Sequence, residues 1–226
     1  MNADLIADRE RRAGAFAALG EPARLAIVER LALSDALPSQ LAHDLGIGSN
    51  LLAHHLKVLE SAGLIQRQRS EGDRRRTYVQ LVSEGLPVVA GTSLAAPQRV
   101  LFVCTANTAR SQLAALLWAA MSDLPVASAG THPADAVDAG AVAAARRHRL
   151  RLAKTTRPQH LDEVLRSGDL VVTVCDRAYE ELASPAALHW SVPDPVPLGT
   201  VSAFEGVLRD LDSRVHGLAE RLSEAS

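Results

Sequence analysis

The sequence predicts a two-domain chain: a winged helix-turn-helix, mainly α with a β-hairpin wing, followed by an α/β domain on a doubly wound, four-stranded parallel sheet. Three observations carry this. Up to residue 84, segments of helical periodicity precede two alternating runs around a turn. Beyond residue 98, short apolar strands alternate with helical stretches, the pattern of a parallel sheet covered on both faces. Between them, "GLPVVAGTSLAAPQ" at 85–98 is uncharged and rich in Gly, Pro, Ser, Thr and Ala, so it reads as a connection. The expected boundaries are 1–86 for the first domain, 87–97 for the linker and 98–226 for the second domain.

In the first domain, "RAGAFAALGEPARLAIVERLAL" lets Phe16, Leu19, Leu25, Val28 and Leu31 share faces across a break at Gly20 to Pro22. "PSQLAHDLG" follows, with proline near its start and glycine past its end, and "SNLLAHHLKVLESAG" repeats the form with Ser49 as cap. "LIQRQRS", a turn at "EGD" and "RRRTYVQLV" make a hairpin. In the second domain, "RVLFV", "PVASA", "LVVTV" and "ALHWSV" are strands, and "SQLAALLWAAM", "AVAAARRHRL" and "AFEGVLRDLDSRVHGLAERLS" are helices.

The 226 residues are 47% hydrophobic, which suits ordinary cores. No segment approaches the ~18 uninterrupted apolar residues of a membrane span. The charged start "MNADLIADRERR" is unlike a signal peptide, so a cytoplasmic protein is expected. Two cysteines, Cys104 and Cys175, do not form a disulfide framework, and any bond between them would be transient and catalytic. A net charge of −2 excludes a uniformly basic surface, yet "RQRSEGDRRR" at 67–76 concentrates five arginines with two acids.

"VLFVCTANTARSQLA" at 100–114 runs strand, tight loop, helix. Loop amides and a helix N-terminus pointing inward create a positive concavity for a tetrahedral oxyanion. Thr105, Ala106, Asn107, Thr108, Ala109 and Arg110 would line it, with the planar fork of Arg110 holding two oxygens. The same field favours a thiolate, which makes Cys104 a nucleophile behind the central atom, with Ser111 donating its hydroxyl to the sulfur. Asp194 lies in the proline-rich "HWSVPDPVP" after the last strand, on the edge where a parallel sheet gathers its ligands.

Cysteine, five residues, then Arg-Ser between a strand and a helix resembles the signature of low-molecular-weight protein tyrosine phosphatases and the arsenate reductases that share their fold. The resemblance covers residues 98–223, including "SAGTHP" at 128–133 and Asp194-Pro195. It implies Cys104 as nucleophile, Arg110 as anion clamp, Asn107 as loop brace, Ser111 as thiolate donor and Asp194 as general acid. Phosphatases of this family commonly carry aromatics just after the Asp-Pro, where this chain has Val196-Pro197, and "HWSVPDP" looks more like the reductases. Both points favour arsenate or phosphate over phosphotyrosine.

Reduction needs a second thiol to attack the sulfur of the arsenic adduct. Cys175, ending "LVVTV", is the candidate. The thioredoxin-linked reductases use a third cysteine a few residues later, and "DRAYEELAS" has none. Three routes stay open: a Cys104–Cys175 disulfide opened by an external reductant, direct attack by a small thiol such as mycothiol or glutathione, or no reduction. No bound cofactor is expected, only an external thiol system of the thioredoxin, mycothiol or glutathione kind.

"QLAHDLGIGSNLLAHHLKVLESAGLIQRQRSEGDRRRTYVQL" resembles the winged-helix repressors of the arsenic-repressor (ArsR/SmtB) family over about residues 10–84. The resemblance implies a homodimer on a double-stranded DNA operator, with the second helix of the motif in the major groove. Ser49, Asn50, Leu51, Ala53 and His54 are then placed for base edges, and His55 and Lys57 for phosphate or neighbouring side chains. Arg74, Arg75 and Arg76 on the wing are placed for the backbone or minor groove. His54 and His55 point about 100° apart on a helix and make no two-ligand face, so no metal site is expected. Arsenic-sensing members capture arsenite with cysteines, and this domain has none. The combined expectation is a bifunctional arsenic-resistance protein, a repressor fused to a cysteine-dependent arsenate reductase. The alternatives are a tyrosine phosphatase fused to a regulator, or a regulator whose second domain only senses arsenate or phosphate.

Overall fold

A computed structural model describes residues 3–82, 97–153, 155–182 and 186–223. The chain separates into two compact units: Met1–Arg69 with Arg75–Thr92, and Ser70–Arg74 with Ser93–Ser226. Except for Pro97, the expected linker lies outside the described residues.

The first unit runs α1 (Ala3–Leu19), α2 (Pro22–Leu31), α3 (Pro38–Leu45), α4 (Ser49–Ser61) and the antiparallel strands β1 (Ile65–Arg69) and β2 (Thr77–Leu81). Glu21 caps α2 by accepting from the Arg24 amide, with Pro22 behind it in the first turn, where a missing N–H costs nothing. α3 ends on Gly46 at φ +63, the left-handed position that glycine fills without a Cβ clash. The core of this unit joins Ile27, Val28 and Leu31 to Leu41, Leu52, Leu56, Leu59 and Val79. Ala36 adds a one-residue bridge to Val79 beside the hairpin.

Three expectations need correction. Phe16 and Leu25 are exposed, because the face of α1 and α2 that packs inward is set by Ala18, Ile27 and Val28. Gly48, not Ser49, holds the N-cap position of α4, so Ser49 is the first helical residue. Arg74, Arg75 and Arg76 sit in the turn, since strand pairing begins at Arg69 opposite Thr77.

The second unit is a four-stranded parallel sheet in the order β4-β3-β5-β6. Its elements are β3 (Arg99–Cys104), α5 (Arg110–Met121), β4 (Val126–Gly130), α6 (Ala139–Arg147), α7 (Leu161–Val164), β5 (Asp169–Thr173), α8 (Asp176–Glu181), β6 (Leu188–His189) and α9 (Val201–Ser223). Val100, Leu101, Phe102 and Val103 of the central strand are fully buried, as strands covered on both faces require. α9 packs on α5 and α6 through Phe204, Val207, Leu208, Leu211, Val215, Leu218 and Leu222, a helical stripe broken only by one adjacent pair. All four strands end at one edge, and β3 and β4 end in register, with Cys104 opposite Gly130.

At the opposite edge, Arg99 grips Asp169 with two parallel bonds, Nε to Oδ1 at 2.9 Å and Nη2 to Oδ2 at 2.6 Å. Burial alone would raise the Asp169 carboxyl, but its bonds from Arg99 and the Arg166 amide outweigh this and hold it below its ordinary value. A carboxyl lowered in the folded state contributes stability above its unfolded pKa, near 3.9, which is lost as pH falls through the lower folded value. Asp169→Asn should therefore cost about 3 kcal/mol at neutral pH and flatten the acid limb of the stability profile. Both tryptophans, Trp118 and Trp190, belong to this unit, so urea midpoints followed by tryptophan fluorescence from pH 7 to pH 3 check it.

Candidate functional site

The loop from Cys104 to Arg110 hangs between the end of β3 and the start of α5, and its shape follows from where its carbonyls go. Cys104 O accepts from the Thr131 amide at 3.1 Å, Thr105 O from His132 at 2.8 Å, Ala106 O from Ala134 at 3.1 Å and Thr108 O from Asp138 at 3.0 Å. Asn107 O accepts from Gln112 Nε2 at 3.2 Å, and Ala109 O from the Leu113 amide at 2.8 Å. In a trans peptide the carbonyl and the next N–H point in opposite directions. Six carbonyls turned outward thus turn the amides of residues 105 to 110 inward, the arrangement of an anion-binding nest at a helix N-terminus. One of these amides has a visible target, because Asn107 N–H reaches Cys104 Sγ at 3.2 Å.

Two residues brace the loop. Asn107 is fully buried and adopts φ +54, a left-handed conformation that asparagine tolerates better than most residues. Its Nδ2 donates to Ser111 Oγ at 2.8 Å, and its Oδ1 accepts from Gln112 Nε2 at 3.1 Å and the Gln159 amide at 3.0 Å. Gly130 is the second. A Cβ there would lie 2.6 Å from Thr105 O and 3.1 Å from Asn107 N, so only glycine lets β4 end this close to the loop.

Cys104 is buried with polar company, its sulfur 3.0 Å from Ser111 Oγ as well as facing the Asn107 amide. Arg110 is also buried, and its Nη1 donates to Val192 O at 2.8 Å while Nη2 donates to Asp194 Oδ2 at 3.0 Å. Burial alone would lower the Arg110 guanidinium, but the anionic forms of Cys175, Asp194 and Cys104, together with Glu71, outweigh it and raise it. Asp194 Oδ1 accepts from the Val196 amide at 3.2 Å, and a third of the Asp194 side chain remains exposed, leaving it open to an incoming group.

Cys175 lies two residues beyond β5, where its sulfur caps α8 by accepting from the Ala178 amide at 3.5 Å. Parallel register brings it beside the loop, with Thr105 Oγ1 3.4 Å from its sulfur. Burial, then the neighbouring charge of Cys104, pushes the Cys175 thiol up to about 11. The Cys104→Ser chain should therefore leave Cys175 slow to alkylate with iodoacetamide until well above pH 9, because burial, the larger cause, remains in that variant. The pH dependence of labelling in the folded chain, followed by mass spectrometry, checks it.

Ser49, Asn50, Leu51, Ala53, His54 and Lys57 are exposed on α4, and Arg74, Arg75 and Arg76 are exposed in the hairpin turn. His55 takes the second of the two places expected of it, beside a neighbouring side chain. It is only 6% exposed, with Nδ1 facing Glu21 Oε2 at 3.6 Å, so it packs against α2 and presents nothing to a groove. Sequence reasoning missed Gly130 and Gln112. A glycine opposite the cysteine in strand register was the available signal for the first.

Residues 99–226 match the description "Low molecular weight phosphotyrosine protein phosphatase", and residues 21–67 match "Bacterial regulatory protein, arsR family". The HTH-type transcriptional regulator PecS of Dickeya dadantii (strain 3937) is 40% identical over 52 residues, 23% of this chain and 31% of that protein, so the match spans about a third of the curated relative. Among solved structures, an arsenate reductase from Archaeoglobus fulgidus DSM 4304 is 31% identical, covering 54% of this chain and 98% of its own, with a TM-score of 0.46. The tyrosine phosphatase Wzb from Escherichia coli K30, in complex with sulphate, is 24% identical, covering 56% and 99%, with a TM-score of 0.49.

Proposed function

This chain belongs to the low molecular weight phosphotyrosine protein phosphatase family, carries an arsR-family helix-turn-helix ahead of that domain, and from this premise we propose a bifunctional arsenic-resistance protein. Its first part represses transcription from a double-stranded operator as a homodimer, and its second part reduces arsenate in the cytoplasm. The observation that carries the second role is the loop in which outward carbonyls turn the amides of residues 105 to 110 inward, that of Asn107 onto the Cys104 sulfur.

The reaction follows from that loop. Arsenate enters with its oxygens on the inward amides and on Arg110. Cys104 Sγ attacks arsenic, Ser111 Oγ and the Asn107 amide stabilise its negative charge, and Asp194 protonates the oxygen that leaves as water. A second thiol then attacks Cys104 Sγ. The sulfur–sulfur bond forms, the sulfur–arsenic bond breaks, and its electron pair stays on arsenic, which departs as arsenite. Cys175 is only 2% exposed, and burial is the first cause of its raised thiol, which supports an external thiol of the mycothiol, glutathione or thioredoxin kind as the second nucleophile.

Arsenate is favoured over phosphotyrosine by what surrounds the loop. Of the five aromatic side chains in the second unit, Phe102, Trp118, Trp190 and Phe204 are buried, and Tyr179 lies stacked on His189 with ring centroids 4.2 Å apart. None stands just after the Asp194-Pro195 pair, where Val196-Pro197 follows. Arsenate turnover with thioredoxin, glutathione and mycothiol systems in parallel, beside p-nitrophenyl phosphate hydrolysis, tests the reading. Cys104→Ser should abolish arsenite production while leaving operator binding intact. Arsenite production that survives the change, or phosphatase turnover without arsenate reduction, would remove it.

For the DNA-binding half, the exposed N-terminal face of α4 supports base contacts and the exposed turn arginines support backbone contacts. Changing Arg74, Arg75 and Arg76 together to alanine should weaken operator binding and lower the slope of log affinity against log salt by about one for each phosphate that no longer meets an arginine. Fluorescence anisotropy at several salt concentrations measures it.

A further inference from the structure

The Arg110 guanidinium already holds an anion that the proposed reaction does not use. Glu71, in the turn Ser70–Arg74 that groups with the second unit, places Oε2 3.1 Å from Arg110 Nη1. Both of its carboxylate oxygens accept from the Asp194 amide, at 3.0 and 3.1 Å. Nη1 is then committed to Val192 O and Glu71, and Nη2 to Asp194. The end-on fork that would take two oxygens of an oxyanion is filled by two carboxylates. A dianion arriving at any other edge of the guanidinium would still meet the charge of Glu71.

The turn is seated by more than this pair. Glu71 N–H donates to Asp176 Oδ2 at 2.8 Å, and the other oxygen of that buried carboxylate lies 3.2 Å from His189 Nε2. Ser70 Oγ donates to Glu180 Oε1 at 2.8 Å, and Asp73 N–H donates to Glu180 Oε2 at 2.7 Å. Gly72 runs so close to α8 that a Cβ would come within 2.4 Å of Glu180 Oε2 and 3.2 Å of Arg177 Cα. Glu180 cannot easily swing aside, because the turn itself pins both its oxygens. The Glu71 side chain nevertheless stays 40% exposed, so the contact is open to exchange.

We propose that Glu71 is a built-in competitor for the oxyanion site: the turn seats its carboxylate on Arg110, and an incoming arsenate or phosphate must displace it. Asp194 has a task when the oxyanion arrives, as the proton donor, whereas Glu71 only opposes its arrival. The turn is continuous with Arg75 and Arg76, so displacing Glu71 alters the segment that carries the DNA-facing arginines. Oxyanion occupancy and operator binding are thereby linked, and the linkage is reciprocal. This inference rests on the oxyanion reading of the 104–111 loop.

The test is isothermal titration of the full chain with inorganic phosphate, comparing wild type, Glu71→Gln and Gly72→Ala. Glu71→Gln removes the competing charge, and Gly72→Ala unseats the turn with the charge retained. Both should tighten phosphate by about fivefold or more, within the usual range of coupling between sites. Phosphate at saturation should shift operator affinity in the wild type and have no such effect in either variant. Equal phosphate affinity in all three proteins overturns the competitor while leaving the oxyanion site standing. Tightening in Glu71→Gln alone reduces Glu71 to a distant charge and also overturns it. No phosphate binding in any of the three sinks the inference together with the reading on which it rests.

Discussion

The orientation of six peptide planes between Cys104 and Arg110 is the constraint on which the rest of this site depends. Their carbonyls are held outward by the amides of residues 131, 132, 134, 138 and 113 and by the Gln112 side chain. Each outward oxygen obliges an inward N–H. The segment after β4 therefore shapes the loop between β3 and α5, and Gly130 is where the two approach most closely. Asp138 serves twice, its amide fixing Thr108 O while its carboxylate caps α6 through Gly140 and Ala141. Without these outer bonds the loop could turn its oxygens toward the sulfur and repel any oxyanion.

The sulfur chemistry then separates two cysteines of the same type by surroundings alone. Both buried sulfurs meet a hydroxyl and an amide, but at 3.0 and 3.2 Å for Cys104 against 3.4 and 3.5 Å for Cys175, whose thiol burial and the charge of Cys104 push up to about 11. Adjacent parallel strands bring both to one edge, but the hydroxyl of Ser111 and the amide of Asn107 are aimed at the first. Arg110 lies between these demands. Buried and surrounded by groups that can carry negative charge, it is kept charged by the neighbours whose charge it compensates.

Much of the architecture was legible because its signals are local. The apolar runs marked the four strands, the proline and glycine around 38–46 marked α3, and Cys104, Arg110 and Ser111 stood out by spacing. The losses share a cause, which is that burial depends on partners distant in sequence. For His55 the sequence left phosphate and a neighbouring side chain both open, and the side chain it faces, Glu21, lies 34 residues earlier. Arg74 to Arg76 continue the alternation of β2, but pairing with β1 stops at Thr77. α7 and α8 are four and six residues long, too short to show a period. Glu71 reads as an ordinary hairpin-turn acid, and only the folded chain puts its carboxylate on Arg110.

The central claim, that the amides of residues 105 to 110 converge on one oxyanion above the Cys104 sulfur, has a direct measurement. Nitrogen-15 correlation spectra of the full chain during titration with inorganic phosphate report each amide separately. The account predicts concerted downfield proton shifts for the amides of residues 105, 106 and 108 to 110, following a single binding curve. Unmoved loop amides at saturating phosphate, with shifts confined to exposed arginine-rich segments, would contradict it.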